Sequence, residues 1–143
     1  MSTQNTTTSL KRYAESQGVE VIERHLPTTW PHALYIPELN TIYLEARQPH
    51  CYKRANLAHE LGHAHYGDTP TGNGHYDQRQ EQRADEYAAH LLINPADFEA
   101  SAIWHQDCLP AIADDLEVTH HLLKIWMELF QSGKLNSLTY ANL

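Results

Sequence analysis

Hydrophobic and polar positions change period several times along the chain, and each change predicts an element. Ser9 caps a short helix over Leu10–Gln17, with Gly18 as its stop. Val19-Glu-Val-Ile-Glu-Arg24 alternates and is rich in β-branched residues, which predicts a strand. Ala33–Ile36 and Thr41–Glu45 predict two more, and the turn-rich Pro37–Asn40 between them makes this pair a hairpin. The period then lengthens. From near Cys51 to Tyr66 a helical wheel puts Ala55, Asn56, His59, Gly62, His63 and Tyr66 on one face, and Leu57, Leu61 and Ala64 on the other. Gly67 and the Gly/Pro-rich run after it stop this helix, leaving 67–78 as a loop. A second helix runs from Asp77 or Gln78 to Ile93 and ends before Pro95. Asn94 and Pro95 open a third, reaching about His105, and Ala111–Leu116 is a short helical piece. Thr119 caps a last helix, His120–Gln131. Its Leu122, Leu123, Ile125, Trp126, Leu129 and Phe130 form a broad apolar stripe, read as core packing.

The succession is α+β: a small, mostly antiparallel sheet of about three strands, a long helix, a second helix, and a helical C-terminal part over 96–132. A length of 143 residues suits one domain, 1–143, with 1–8 and 134–143 as flexible ends. Composition adds exclusions. No apolar run approaches the roughly 20 residues that span a bilayer, so no membrane partner is expected. The Thr/Ser/Asn-rich start has no apolar signal segment, which points to the cytoplasm. Two cysteines, Cys51 and Cys108, are too few for a disulfide framework and read as small buried residues. The net charge is −8, and from Glu60 to Glu117 only Arg79 and Arg83 are basic, histidines aside. That balance disfavours phosphate contact; it reads first as a solvated acidic surface and would also suit a basic partner or substrate. Ile112–Thr119 followed by a helix has a helix-turn-helix pattern, but Asp114, Asp115 and Glu117 outweigh His120, His121 and Lys124. Direct nucleic-acid binding is therefore not expected.

The candidate chemistry sits on the long helix. His59-Glu60-Leu61-Gly62-His63 spaces two imidazoles by four residues, so both reach one metal ion, while Glu60 is offset by about 100° toward a metal-bound water. A zinc site of this kind needs a third protein ligand. The extended version that supplies a histidine six residues on is excluded, since Thr69 and Tyr66 stand at the His and Gly positions. A carboxylate on the following helix is the alternative. With Glu81 facing the metal, the same face carries Ala84, Asp85 and Ala88. The alanines let this helix lie close to Gly62, and Asp85 is placed to accept the free N–H of a ligand histidine. Glu86 becomes the ligand only if the helix phase is wrong.

Ala58-His-Glu-Leu-Gly-His63, followed by Glu81-Gln-Arg-Ala-Asp-Glu-Tyr-Ala-Ala-His-Leu-Leu-Ile-Asn-Pro95, resembles the paired motifs of ImmA/IrrE-type metallopeptidases. One extra residue precedes the proline, and the resemblance spans about residues 10–132. It implies a zincin-like fold with a small sheet beside the active-site helix. Carried over by position, it implies one Zn²⁺ held by His59, His63 and Glu81, with Glu60 as base. Members of this family stand beside helix-turn-helix repressors in phages and mobile elements and inactivate them. The resemblance thus implies a cytoplasmic endopeptidase with an anti-repressor role and a transcriptional regulator as substrate. The competing expectation is a non-proteolytic zinc-binding protein that inactivates a regulator by holding it. Tyr66, His75, Tyr76 and His90 are the neighbourhood candidates for oxyanion or substrate contact.

Overall fold

The computed structural model describes residues 6–137. Helix α1 is Thr7–Ser16, and Thr6 rather than Ser9 opens it, its Oγ1 accepting the Ser9 N–H at 3.1 Å. The run Thr6–Ser9 offers four hydroxyls able to cap, and the first described one does so. Leu10, Tyr13 and Ala14, at helical spacing, bury the inner face. Thr7 and Thr8, expected in a flexible lead-in, are thus helical, and Lys134–Ser137, expected in a loose tail, form a 3-10 turn. The remaining positions of both expected ends, 1–5 and 138–143, lie outside the described residues.

The fold class is the expected α+β, with three strands: β1 (Glu20–Arg24), β2 (Ala33–Ile36) and β3 (Thr41–Glu45). The β2–β3 hairpin is antiparallel, with Ile36 opposite Thr41. The order, however, is β1-β3-β2, and β1 lies parallel to β3, Glu20 opposite Thr41. The sheet is therefore mixed rather than mostly antiparallel. Residues 25–32 carry the chain past β3, so β3 becomes the centre, with Ile42 and Leu44 fully buried. Alternation identifies a strand but carries no information about its direction. One carboxylate fixes the crossing. Glu45 Oε2 accepts the Leu26 N–H at 2.5 Å, and Oε1 accepts the Arg47 N–H and Nε–H. The Arg47 bond, then that of Leu26, holds the Glu45 carboxyl down at about 2.

Helix α2 (His50–Tyr66) buries Leu57, Ala58 and Leu61, and α1 and both hairpin strands pack on it. Helix α3 (Gly74–Leu92) is α2's most extensive neighbour. It starts earlier than expected because Asn73 Oδ1 accepts the His75 N–H at 3.0 Å, which shortens the 67–78 loop to 67–73. Helices α4 (Pro95–Trp104), α5 (Leu109–Leu116) and α6 (His120–Gln131) complete the chain. Asn94 and Thr119 cap α4 and α6 as the sequence predicts. Arg54 on α2 is 1% exposed, and its Nη1 donates to the Glu117 carbonyl, clamping the end of α5 to α2. Of the cysteines, Cys51 is half-buried but Cys108 is exposed, at the cap of α5, so only the first fits the expectation of burial.

Candidate metal centre

Helices α2 and α3 approach so closely that no side chain fits at one point between them. A Cβ at Gly62 would lie 2.9 Å from Ala84 Cα and 3.0 Å from its carbonyl oxygen. Ala84 and Ala88, both fully buried, keep the α3 side equally flat. This contact brings the two halves of the sequence motif together. His59 Nε2 and His63 Nε2 are 3.1 Å apart, and Glu81 Oε2 is 2.7 Å from the first and 3.2 Å from the second. Nitrogen and oxygen ligands about 2.05 Å from a tetrahedral zinc stand about 3.3 Å apart, so the spacing suits such an ion.

The far side of each ring explains why these atoms are free to ligate. His59 Nδ1 is 2.7 Å from Asp85 Oδ1, and His63 Nδ1 is 3.0 Å from Asp68 Oδ2. With each Nδ1–H donated to a carboxylate, a cation that displaces the proton from Nε2 meets a lone pair on each ring. Two lone pairs and a carboxylate oxygen then converge on one point, a donor set that a divalent cation satisfies. His59, Glu60 and His63 offer ligand atoms within 4.8 Å of one another, but the Glu81 oxygen lies nearer both imidazoles, and Glu60 is turned elsewhere.

Glu60 points at the sheet. Its Oε2 accepts the Tyr35 N–H of β2 at 2.9 Å. In an antiparallel pair, alternate residues bond the partner strand. Glu45 N–H donates to the His32 carbonyl at 2.8 Å, so Leu34 and Ile36 face β3, while Ala33 and Tyr35 turn their peptide groups to the open edge. A cleft of about 370 Å³ runs there, lined by Ala33 and Tyr35 on one side and His59, Glu60, His63 and Glu81 on the other. Burial pushes the Glu60 carboxyl above its usual range, against the pull of the two histidines. Burial works the other way on His59, but the bond and charge of Asp85, with Glu60 and Glu81, outweigh it and raise this imidazole to about 9.

Asp85 does more than orient His59. Its second oxygen accepts from His121 Nε2 of α6 at 2.9 Å, and these two bonds hold its carboxyl low despite burial. Sequence reasoning named Asp85 but missed three supporting residues: His121, Asp68 and Arg83. Asp68 is buried and takes Arg83 Nη2 at 2.6 Å on its other oxygen. The Arg83 guanidinium also lies 3.9 Å over the Tyr66 ring. Asp68 had a readable signal. Gly67, at φ 64, ends α2 in a Schellman turn, with Asp68 N–H bonded to the His63 carbonyl and Gly67 N–H to that of Ala64. The residue after such a glycine is thereby returned to the histidine five positions back.

The other candidates fall elsewhere. Tyr66 packs against His65, Tyr87 and Arg83, and His75 meets Tyr76 at the start of α3. Tyr76 lines a separate polar depression with Arg79 and Arg83. His90 lies half-buried near the end of α3, and burial lowers its pKa. None of the four lines the cleft beside Glu60. Glu86, the alternative ligand, meets Gln82 on its own helix instead.

A family model described as the IrrE N-terminal-like domain, a peptidase family, matches residues 14–124. No curated protein and no solved structure matches the chain. The matched span takes in every residue of the convergent site, from Tyr35 to His121.

Proposed function

The chain belongs to the ImmA/IrrE-type metallopeptidase family, and within that family we propose that it is a cytoplasmic zinc endopeptidase acting on a helix-turn-helix transcriptional regulator, an anti-repressor. His59, His63 and Glu81 hold the ion, and Asp85 and Asp68 orient the two imidazoles. The observation that carries the reading is the convergence of three electron-pair donors within 3.2 Å, in a cleft along an open strand edge. When bound there, zinc would supply Lewis acidity and would lower the pKa of a water to about 7. Glu60, its carboxyl raised by burial and steadied by the Tyr35 N–H, takes the proton of the attacking water and returns it to the leaving amine. An extended substrate segment pairs with the peptide groups that β2 turns outward at Ala33, which sets the scissile bond over Glu60. The regulator as substrate and the cytoplasmic setting rest on the chain's resemblance in motif to the family.

The test compares three proteins by metal analysis and by cleavage of a helix-turn-helix regulator supplied as substrate. Wild type is expected to carry one zinc and to cut. Glu60→Gln is expected to keep zinc and lose cutting, and Glu81→Ala to lose both. A Glu60→Gln protein that inactivates the regulator as fully as wild type overturns the peptidase reading in favour of inactivation by binding. A wild type that carries no zinc after purification without chelators overturns the metal reading.

A further inference from the structure

Apart from the cleft and the polar depression at Tyr76, the described surface carries a concavity of about 530 Å³ between α4 and α6. Most of its lining is apolar. Phe98 lies 4.6 Å from Trp126, which stacks on Phe130 at 5.5 Å, and Ile103 closes the same space. Core packing, expected for the whole apolar stripe of α6, accounts for Trp126 but not for Phe130, which is 58% exposed. Ile103 is 73% exposed. Single exposed apolar residues are ordinary; several gathered about one groove mark an interaction surface.

Charge decides the kind of partner. From Ala84 to Leu123 the chain holds eight carboxylates and no Lys or Arg. Two of those carboxylate residues, Glu99 and Asp107, line the groove itself. Such a surface draws a basic segment and repels an acidic one. Gln106 and Asp107 close the end of α4 at φ 52 and φ 61. Both values lie in the left-handed region that favours glycine. A turn that glycine would make without strain is made here by residues that set a carboxylate at the groove.

We propose that the α4–α6 groove docks an amphipathic helix of a protein partner, one carrying Lys or Arg beside its apolar face. An open trough between two helices, apolar within and acidic at its sides, is complementary to that element in shape and charge. The groove lies apart from the residues that line the cleft, so docking there holds a partner without occupying Glu60. The inference goes beyond the peptidase reading and does not need it, since binding is measured in the full-length Glu60→Gln protein.

The probe is a leucine–lysine peptide of about 18 residues, five helical turns, with its leucines on one face. Two controls accompany it: the same composition with the leucines scattered, and the same pattern with glutamate for lysine. Titration calorimetry at low and moderate salt is expected to show the amphipathic lysine peptide binding at least about tenfold tighter than either control. The double variant Ile103→Ser/Phe130→Ser, at exposed positions, is expected to lose about tenfold, and Glu99→Lys to weaken binding and flatten its salt dependence. Asp107→Gly separates docking from folding. It relieves a positive-φ strain, so the melting temperature is expected to hold or rise while binding weakens. Equal binding of the scattered or the glutamate peptide overturns the proposal, as does undiminished binding by the double variant. Concentration-dependent dimerisation that blocks the peptide assigns the groove to a second copy and overturns it. Binding of phosphatidylcholine vesicles that the double variant abolishes assigns it to lipid and overturns it equally.

Discussion

His59 and His63 sit one turn apart on the same helix, yet different regions of the chain hold them. His59 is steadied from α3, by Asp85, and behind it from α6, by His121. His63 is steadied by the loop that ends its own helix, through Asp68, with Arg83 behind. The first arrangement needs the tertiary fold; the second is built largely by local chain reversal at Gly67. Both end in a carboxylate that accepts an Nδ1–H, and both carboxylates have a cationic or imidazole partner on the remaining oxygen. The difference lies in burial and charge. Asp68 is nearly enclosed, its side chain 4% exposed, and Arg83 answers its charge; Asp85 is 24% exposed and answers to imidazoles.

Breaking what the two sides share should have the largest effect. Gly62→Ala drives a methyl into the Ala84 backbone and separates both histidines from Glu81. It is expected to cost about 1–3 kcal/mol of stability by overpacking. Zinc affinity, read by chelator competition, is expected to fall by more than about 100-fold, beyond the range of a single outer-shell change. A variant that folds and binds zinc as wild type does would show that the ligand spacing does not depend on helix approach.

The two carboxylates then separate the sides. Asp85→Asn keeps a carbonyl oxygen for His59, so zinc affinity is expected to fall about tenfold. Asp68→Asn also keeps an oxygen for His63 but leaves Arg83 without its counter-charge. Its loss is expected to approach about 100-fold, the upper end of the outer-shell range. Equal losses in the same chelator assay would erase the asymmetry. Arg83→Gln, the mildest change, removes a half-exposed ion pair and a stack on Tyr66. It is expected to lower zinc affinity only severalfold, with the cobalt-substituted absorption spectrum little changed.

The same contrast explains what was legible in the sequence. The convergence of side chains was, because helical spacing fixes geometry: His59 and His63 four apart, and Glu81, Ala84, Asp85 and Ala88 in one phase. Gly62 was legible for the same reason, as a gap on the histidine face. The hairpin and α6 matched residue for residue, since turn and cap residues mark both ends. Partnerships across the fold were not. No local pattern says that α6 returns to α3, so His121 was invisible beside Asp85. The direction of β1 was equally hidden, because it depends on the path of residues 25–32 and not on β1 itself. Asp68 lay between these cases: a Schellman glycine announces it, but only to a reader who follows the chain past the helix end. Phe130 was misplaced because its spacing matches the buried stripe, and only the position of α4 decides which of those residues remains uncovered.

Asp85 divides its two oxygens between a ligand histidine and the first turn of α6, and this draws the border of the working unit. A shortened chain that stopped after α3 would contain His59, His63 and Glu81 and still differ at the centre, because Asp85 would lose the His121 bond on its second oxygen. The helices after Pro95 are thus not an appendage that evolution or an engineer can exchange at will. Any graft onto this scaffold must keep the junction at residues 119–123 or rebuild a donor to take its place.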